Sequence, residues 1–328
     1  KSRINASSPV KSLSFINIHE KENRWYLQLY AKYLVGISDL SLSNIRNKIS
    51  FISQFLQYLD GRSKKVTELD MQDIVDYLSV LDESDIKYST FNRYVTHVHT
   101  FLQFLKMKNI EVLKFYPERF LKKGFPEHNE RSVPEKTIAH LIKELPTFPE
   151  HLQLMYLILF CTGIRKSEVC TIKSGAFYSQ GNESWMRIYQ SKMRREKVIP
   201  IPSILVELVN DYEKKHGIKN GEYLFKNKNG GAFSGQTFSN QMIRECKVRG
   251  IDCGDYIFRA HDYRHNLATS MYGNGVSIQG VRDYLGHSSE NMTKQYIDFM
   301  PERIVSAEDK YFSKNQSFKL KGVEDDER

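Results

Sequence analysis

Apolar residues recur at helical spacing in the first third of the chain, where they predict four amphipathic helices. The second helix has the clearest pattern and follows a predicted serine cap at Ser43. Its apolar face consists of Ile45, Ile49, Ile52, Phe55, Leu56 and Leu59. The third helix opens at Asp70 and is predicted to bury Met71, Ile74, Val75 and Leu78. With the patterns near residues 25–35 and 89–105, these helices predict a compact all-helical domain over residues 21–121.

The segments on either side of this domain lack a sustained apolar period. Residues 1–20 predict a flexible lead-in. Residues 122–131 contain glycine, proline and mixed charge, which predicts a linker. The sequence SVPE at 132–135 combines a capping box with an early proline, so a new helix starts there. We assign a second domain to residues 132–312 and a C-terminal tail to 313–328.

The second domain is predicted to mix helices with a small β-sheet. A helix that starts near Pro149 is apolar almost all round, which is typical of the centre of a domain. Residues 185–189 and 198–201 then read as two strands of a β-hairpin. Its tip is predicted to carry four basic side chains, Lys192, Arg194, Arg195 and Lys197. Further helices are predicted near 203–215, 237–249, 261–272, 277–285 and 290–298. The fold class is therefore mainly α with a small β-sheet: an all-helical domain followed by an α+β domain.

Charge favours a polyanion as the partner. The chain has 328 residues, a net charge of +9 and a pI of about 9.1, and nucleic acid is the commonest polyanionic partner. On the helical domain, Arg46, Lys48 and Arg93 are candidate phosphate contacts, and on the hairpin so are Arg194, Arg195 and Lys197. For any single lysine, a solvated helix surface is the simpler interpretation.

Cysteine spacing and hydropathy exclude several classes of protein. None of the four cysteines forms a Cys-x-x-Cys pair, and no cysteine–histidine set has zinc spacing. We therefore expect no metal site, reduced thiols and a cytoplasmic location. The longest apolar run is too short to span a bilayer, so no membrane association is expected. The chain begins with Lys1 rather than Met, which indicates a piece of a longer protein.

A cluster of cations surrounds one hydroxyl in the stretch from His261 to Tyr296. Direct attack on a phosphodiester needs a nucleophile, stabilised charge on the phosphate oxygens, and a proton for the leaving oxygen. Arginine suits the second task because it stays protonated and its fork matches phosphate geometry. Lysine or histidine suits the third. Tyrosine suits the first when nearby cations favour its phenolate.

Three motifs in this order resemble those of the tyrosine recombinases, the phage integrase family. TGIRKSEVCTI at 162–172 resembles the first arginine motif, HDYRHNLAT at 261–269 the His-x-x-Arg motif, and YLGHSSENMTKQY at 284–296 the Leu-Gly-His followed by the nucleophile. The resemblance covers roughly residues 22–312 and implies a SAM-like core-binding domain followed by a catalytic domain. Tyr263 and Asn266 depart from the leucine and threonine that are common at these positions.

The resemblance implies a role for each matched residue. Tyr296 resembles the nucleophile that forms a 3′-phosphotyrosyl bond and frees a 5′-hydroxyl. Arg165 and Arg264 resemble the pair that clamps the scissile phosphate, His287 resembles a second phosphate donor, and Glu168 resembles the acidic residue that supports the site.

Proton transfer is assigned in the same way. His261 resembles the histidine with general acid–base work, and Lys192 resembles the general acid for the leaving 5′-oxygen. Lys197 is a rival for that lysine, because the register of a turn is not fixed by sequence. No cofactor, metal ion or ATP is implied.

The family also implies partners. These are a double-stranded DNA recombination site, a homotetramer on two duplexes with the C-terminal tail docked on a neighbouring protomer, and accessory DNA-bending proteins, all at the bacterial nucleoid. Within the family, a mobile-element integrase or transposase is favoured over a chromosome-dimer resolvase. Two further classes of protein compete with a recombinase: a type IB topoisomerase, and a DNA-binding protein of this fold that does not cut.

Overall fold

The computed structural model describes residues 4–124, 133–251, 256–287 and 289–294, apart from the side chains of residues 291 and 292. The chain divides into two compact units, with the boundary between Glu127 and His128. The described part of the first unit is helical, as predicted. Its helices are α1 (Lys21–Ile37), α2 (Leu42–Gly61), α3 (Met71–Glu83) and α4 (Tyr88–Met107), with short 3₁₀ turns at Val66–Glu68 and Pro117–Arg119.

The apolar stripes of the first unit form one core. All six predicted positions of α2 are buried. The cap of α2 is Ser41 rather than the predicted Ser43, since the Ser41 hydroxyl accepts the backbone N–H of Asn44. Asp70 caps α3 as predicted, but Met71 and Val75 are 42% and 38% exposed, and Tyr77 is buried in their place.

One buried polar side chain ties α1 to the segment between α2 and α3. Asn23 is fully buried and accepts the backbone N–H of Val66 at 2.8 Å. Its amide nitrogen donates to the carbonyl oxygen of Lys64 at 3.1 Å. Ile18, which precedes α1, is also fully buried in this core, so the fold extends into the predicted lead-in.

As far as it is described, the second unit contains the predicted helices, the last of them only to Lys294, and a three-stranded antiparallel sheet of order β1-β2-β3. The strands are β1 (Phe177–Gln180), β2 (Glu183–Gln190) and β3 (Arg195–Pro200), and the sequence pattern missed β1. The helices are α5 (Glu135–Glu144), α6 (Glu150–Thr162), α7 (Lys166–Val169), α8 (Ser203–His216), α9 (Gly235–Val248), α10 (Ala260–Gly273), α11 (Ile278–Leu285) and α12 (Glu290–Lys294), with a 3₁₀ turn at Leu145–Thr147 after α5. Outside the sheet, Tyr223 pairs with Lys173 in an isolated antiparallel bridge.

Helix α6 lies in the core of the second unit, as its apolar sequence predicted. Leu152, Met155, Tyr156, Ile158 and Leu159 are fully buried on it. Val133, the first described residue of this unit, is held by Asn266 of α10, whose side-chain oxygen accepts the Val133 N–H at 2.7 Å. Most of the predicted linker and Ser132 of the predicted capping box lie outside the described residues. In the described part of the chain, no helix combines the length and apolarity needed to cross a membrane.

Removal of the Asn23 side chain should destabilise the first unit. In Asn23→Ala the buried N–H of Val66 loses its acceptor, which typically costs about 1–3 kcal/mol. Hydrogen exchange of the α1 and α2 amides in the full chain measures this locally. Asn47→Ala, at an exposed position of α2, is the matched control, with an expected change within about 0.5 kcal/mol. Equal protection in the two variants would show that the Asn23 contacts do not hold α1.

Candidate active site

Arg165 lies just beyond the end of α6, where a glycine allows the chain to turn. Gly163 has a φ of +56°, the left-handed conformation that favours glycine. Glu168 then accepts from both the backbone N–H and the Nη1 of Arg165, each at 2.9 Å. The Glu168 side chain is only 2% exposed, so a buried carboxylate fixes the orientation of the Arg165 guanidinium.

Among the described residues, Arg264 is the largest side chain that is almost wholly buried, with 1% of its surface exposed. Its Nη1 donates to the carbonyl oxygen of Gly163 at 2.8 Å, and its Nη2 donates to the carbonyl oxygen of Leu285 at 2.6 Å. The first carbonyl follows the last residue of α6 and the second belongs to the last residue of α11. Arg264 therefore joins the C-terminal ends of two helices.

His287 follows the glycine that ends α11. Gly286 has a φ of +70°, and the buried His287 ring places Nδ1 3.0 Å from the Thr293 hydroxyl. Burial lowers the pKa of His287 to about 3, and electrostatic interactions with Arg264, Arg165, Lys197 and His261 lower it further. The imidazole is therefore neutral at neutral pH, and side chains of the other two motifs and of the hairpin act on it electrostatically.

Of the two hairpin lysines, Lys197 joins this cluster. Lys197 lies within β3, opposite Ile188, rather than at the predicted tip. Its ammonium donates to the backbone carbonyl oxygen of Tyr284. Burial lowers its pKa to about 8, an effect to which Arg264 and Arg165 add while Glu168 opposes it.

The hairpin tip is a short turn at residues 191–194. Lys192 and Arg194 lie on this turn, Arg195 begins β3, and all three are exposed. Arg194 adopts a φ of +52°, which is uncommon for a residue with a side chain. Lys192 is thus outside the cluster around His287 and at the protein surface.

His261 lies in the first turn of α10, where its ring centroid is 5.4 Å from that of His265. Although His261 and Arg264 lie only three residues apart on α10, His261 is exposed while Arg264 is buried. His261 and Arg165 both line a pocket of about 380 Å³. Tyr296 lies outside the described residues, and α12 is described as far as Lys294.

One residue next to the cluster was missed by the sequence analysis. Gln190 ends β2 and is 1% exposed. It packs against Gly286 so closely that a Cβ there would lie 2.7 Å from the Gln190 amide. Its Oε1 has no hydrogen-bond partner among the described residues. No local pattern marks Gln190, because this contact joins segments almost one hundred residues apart.

The predicted phosphate contacts of the first unit come from two neighbouring helices. Arg46 on α2 and Arg93 on α4 are exposed, while Lys48 on α2 is half-buried and burial lowers its pKa. His97 on α4 has a pKa lowered to about 4 by burial, then by the charges of Lys48 and Arg93. Lys48 and Arg93 therefore bring positive charge to one place on this unit.

Two protein-family models match the chain, one in each of its two units. The model of the phage integrase family matches residues 131–303, and that of the phage integrase N-terminal SAM-like domain matches residues 27–109. Transposase B from transposon Tn554 of Staphylococcus aureus is 28% identical over 91% of this chain and 49% of its own length. The chain thus spans about half the length of that curated relative.

Solved structures share the fold. The XerH recombinase in a post-cleavage complex with palindromic difH substrate aligns with a TM-score of 0.66 and 16% identity over 91% of each chain. A lambda integrase tetramer bound to a Holliday junction aligns with a TM-score of 0.64 and 18% identity, over 86% of this chain and 79% of that one. Since the family model matches more than half of its length, the chain belongs to the phage integrase family, the tyrosine recombinases.

Proposed function

We propose that this chain is a site-specific DNA recombinase that cuts and rejoins strands through a phosphotyrosyl bond. The observation that carries the proposal is the meeting of three cations at the joined ends of α6 and α11. Arg264 donates to the carbonyls of Gly163 and Leu285, Lys197 donates to the carbonyl of Tyr284, and Arg165 lies two residues after Gly163. Several cations around one small volume are costly unless an anion shares it. A phosphodiester is the anion that suits fixed guanidinium groups.

Arg165 and Arg264 clamp the scissile phosphate. Both are oriented before DNA arrives, Arg165 by Glu168 and Arg264 by two carbonyls, and a guanidinium fork matches phosphate geometry. Such preorganised donors stabilise charge that develops on the non-bridging oxygens in the transition state. His287 adds a hydrogen bond from its neutral ring, because donation by the Thr293 hydroxyl to Nδ1 would leave the proton on Nε2.

Tyr296 is the nucleophile in this proposal. Its phenolic oxygen forms the new bond to phosphorus at the 3′ side, the bond from phosphorus to the 5′-oxygen breaks, and His261 accepts the phenolic proton. The phosphotyrosyl bond retains the free energy of the phosphodiester, so the 5′-hydroxyl of a second strand can rejoin without ATP. Protein cations supply the positive charge, so the step needs no divalent metal.

Lys192 is proposed as the general acid for the leaving 5′-oxygen. A general acid must come within hydrogen-bond reach of that oxygen, and Lys192 extends from an exposed turn that DNA can approach. Lys197 already donates to the Tyr284 carbonyl and is half-buried. We therefore assign Lys197 to the electrostatics of the phosphate site.

The partner is a double-stranded recombination site. In the first unit Arg46, Lys48 and Arg93 contact its phosphates, and in the second Arg194 and Arg195 do so. Likeness to Transposase B of Tn554 favours a mobile element, and likeness to a lambda integrase tetramer on a Holliday junction favours tetramers on two duplexes. Docking of the C-terminal tail on a neighbouring protomer, accessory DNA-bending proteins and action at the bacterial nucleoid complete the proposal.

Tyr296→Phe should abolish the covalent adduct with cognate DNA while DNA binding is kept. The expected assay traps the adduct in EDTA on a nicked substrate and resolves it on a denaturing gel. Tyr284→Phe is the matched control, because its hydroxyl only donates to the Pro200 carbonyl in the described part of the chain, and it should still form the adduct. An adduct in Tyr296→Phe, or a strict need for Mg²⁺, would refute the proposal.

A sulfur atom in place of the leaving 5′-oxygen separates the roles of the two lysines. A thiolate leaves without protonation, since thiols are far more acidic than alcohols. Lys192→Ala should slow cleavage of ordinary DNA by about 10²-fold to 10⁴-fold and regain most of that rate on the sulfur substrate. Lys197→Ala should be slowed on both substrates. Rescue of Lys197→Ala instead would make Lys197 the general acid.

A further inference from the structure

A basic pocket of about 380 Å³ opens beside Arg165, on the side of His261. Lys166 and Arg259 supply two further positive charges to its wall, and Ser167 and Ser239 supply hydroxyl groups. None of the nine described residues that line it is acidic. A cavity whose charged lining residues are all basic suits an anion.

The Lys166 ammonium is held at this pocket by α9. Its Nζ donates to the Ser239 hydroxyl at 2.9 Å. Its methylene stem packs beside Gly235, where an added Cβ would lie in ordinary contact with the Lys166 Cε at 3.5 Å. The hydrogen bond and this packing fix the direction of the lysine side chain.

The charges of Lys166 and Arg259 are not neutralised within the protein as far as it is described. Neither side chain forms an ion pair there, whereas the neighbouring Arg165 is bound to Glu168. Ala260 and His261 of the pocket wall belong to the first turn of α10, where the helix dipole adds positive potential. Asp262 in that turn is 4% exposed and is not part of the wall.

We propose that this pocket binds a second backbone phosphate of the DNA, next to the scissile one, with Lys166 and Arg259 as its ligands. The inference rests on the proposed function, since Arg165 borders both sites. The apolar side chains of Ile164 and Phe258 offer a wall for the adjoining deoxyribose. A neighbouring phosphate anchored here fixes the register of the strand, so that the scissile phosphate meets the Arg165 guanidinium.

A protein–phosphate thermodynamic cycle tests the proposal. The full chain binds DNA duplexes in which one phosphate at a time is replaced by an uncharged methylphosphonate. At one position flanking the cleavage site, wild-type affinity should fall about tenfold, as expected for a lost hydrogen bond to a charged group. Lys166→Met keeps the methylene stem but lacks the charge, so its affinity for ordinary DNA should be about tenfold below that of wild type. Replacement of the critical phosphate should then lower the affinity of this variant little further.

Matched variants give the comparison its controls. Lys214→Met, at an exposed position of α8, should behave as wild type at every phosphate. Arg259→Gln leaves α9 unchanged. Its DNA affinity should be insensitive to methylphosphonate replacement at the same phosphate as that of Lys166→Met. In both pocket variants the dependence of log affinity on log salt should fall by about one unit.

The failure of this inference differs from failure of the proposed function. One outcome is that wild type forms the covalent adduct while each methylphosphonate lowers the DNA affinity of Lys166→Met and Arg259→Gln by the same factor as that of wild type. In that case the second phosphate site is wrong and the recombinase proposal stands. If inorganic phosphate alone stabilises wild type but not Lys166→Met, and no single DNA phosphate depends on Lys166, the pocket is a small-anion site. Wild type that binds DNA without any adduct would refute the proposed function itself.

Discussion

The buried guanidinium of Arg264 is the contact on which the candidate site depends. An ionised side chain is expensive to remove from water unless polar groups replace its hydration. Here the carbonyls of Gly163 and Leu285 do so, and both lie at helix C-termini, where the helix dipole is negative. The arginine thereby fastens the end of α6 to the end of α11. Gly163 can offer its carbonyl because it adopts a left-handed conformation.

The positions of Arg165, His287 and Lys197 follow from this junction. Arg165 lies two residues after Gly163, and His287 lies two residues after Leu285, so the fastened helix ends bring both beside Arg264. Lys197 reaches the same place from β3 through the Tyr284 carbonyl. Burial lowers the pKa values of His287 and Lys197, and electrostatic repulsion by Arg264 and Arg165 adds to the effect. A bound phosphate would favour their protonated forms and relieve that repulsion, so anion binding should stabilise the folded unit.

Much of the fold was predictable because its signals are local. The apolar stripe of α2, the Asp70 cap and the glycines that end α6 and α11 all act within a few residues of the element that they define. The error in the predicted cap of α2 is also local. Ser41 and Ser43 are both suitable cap residues, and the helix begins one residue after Ser41.

The rest depends on contacts between distant segments. Lys197 lies in β3 rather than at the hairpin tip because the register of β2 and β3 fixes the turn at residues 191–194. The position of Lys166 is set by its contacts with Ser239 and Gly235 on α9, and that of Gln190 by its contact with Gly286. Burial of Arg264 beside an exposed His261 likewise follows from packing between α6, α10 and α11, which spacing along one helix does not reveal.

Hydrogen exchange of Arg264→Lys, compared with cleavage by the same variant, tests the central role of this junction most directly. Lysine keeps one positive charge but cannot donate to two carbonyls with a planar fork. The account predicts faster exchange of amides both after α6 and at the end of α11, together with loss of cleavage. Unchanged exchange at both places with cleavage still lost would mean that Arg264 acts on the phosphate alone, and would contradict its role in assembling the site.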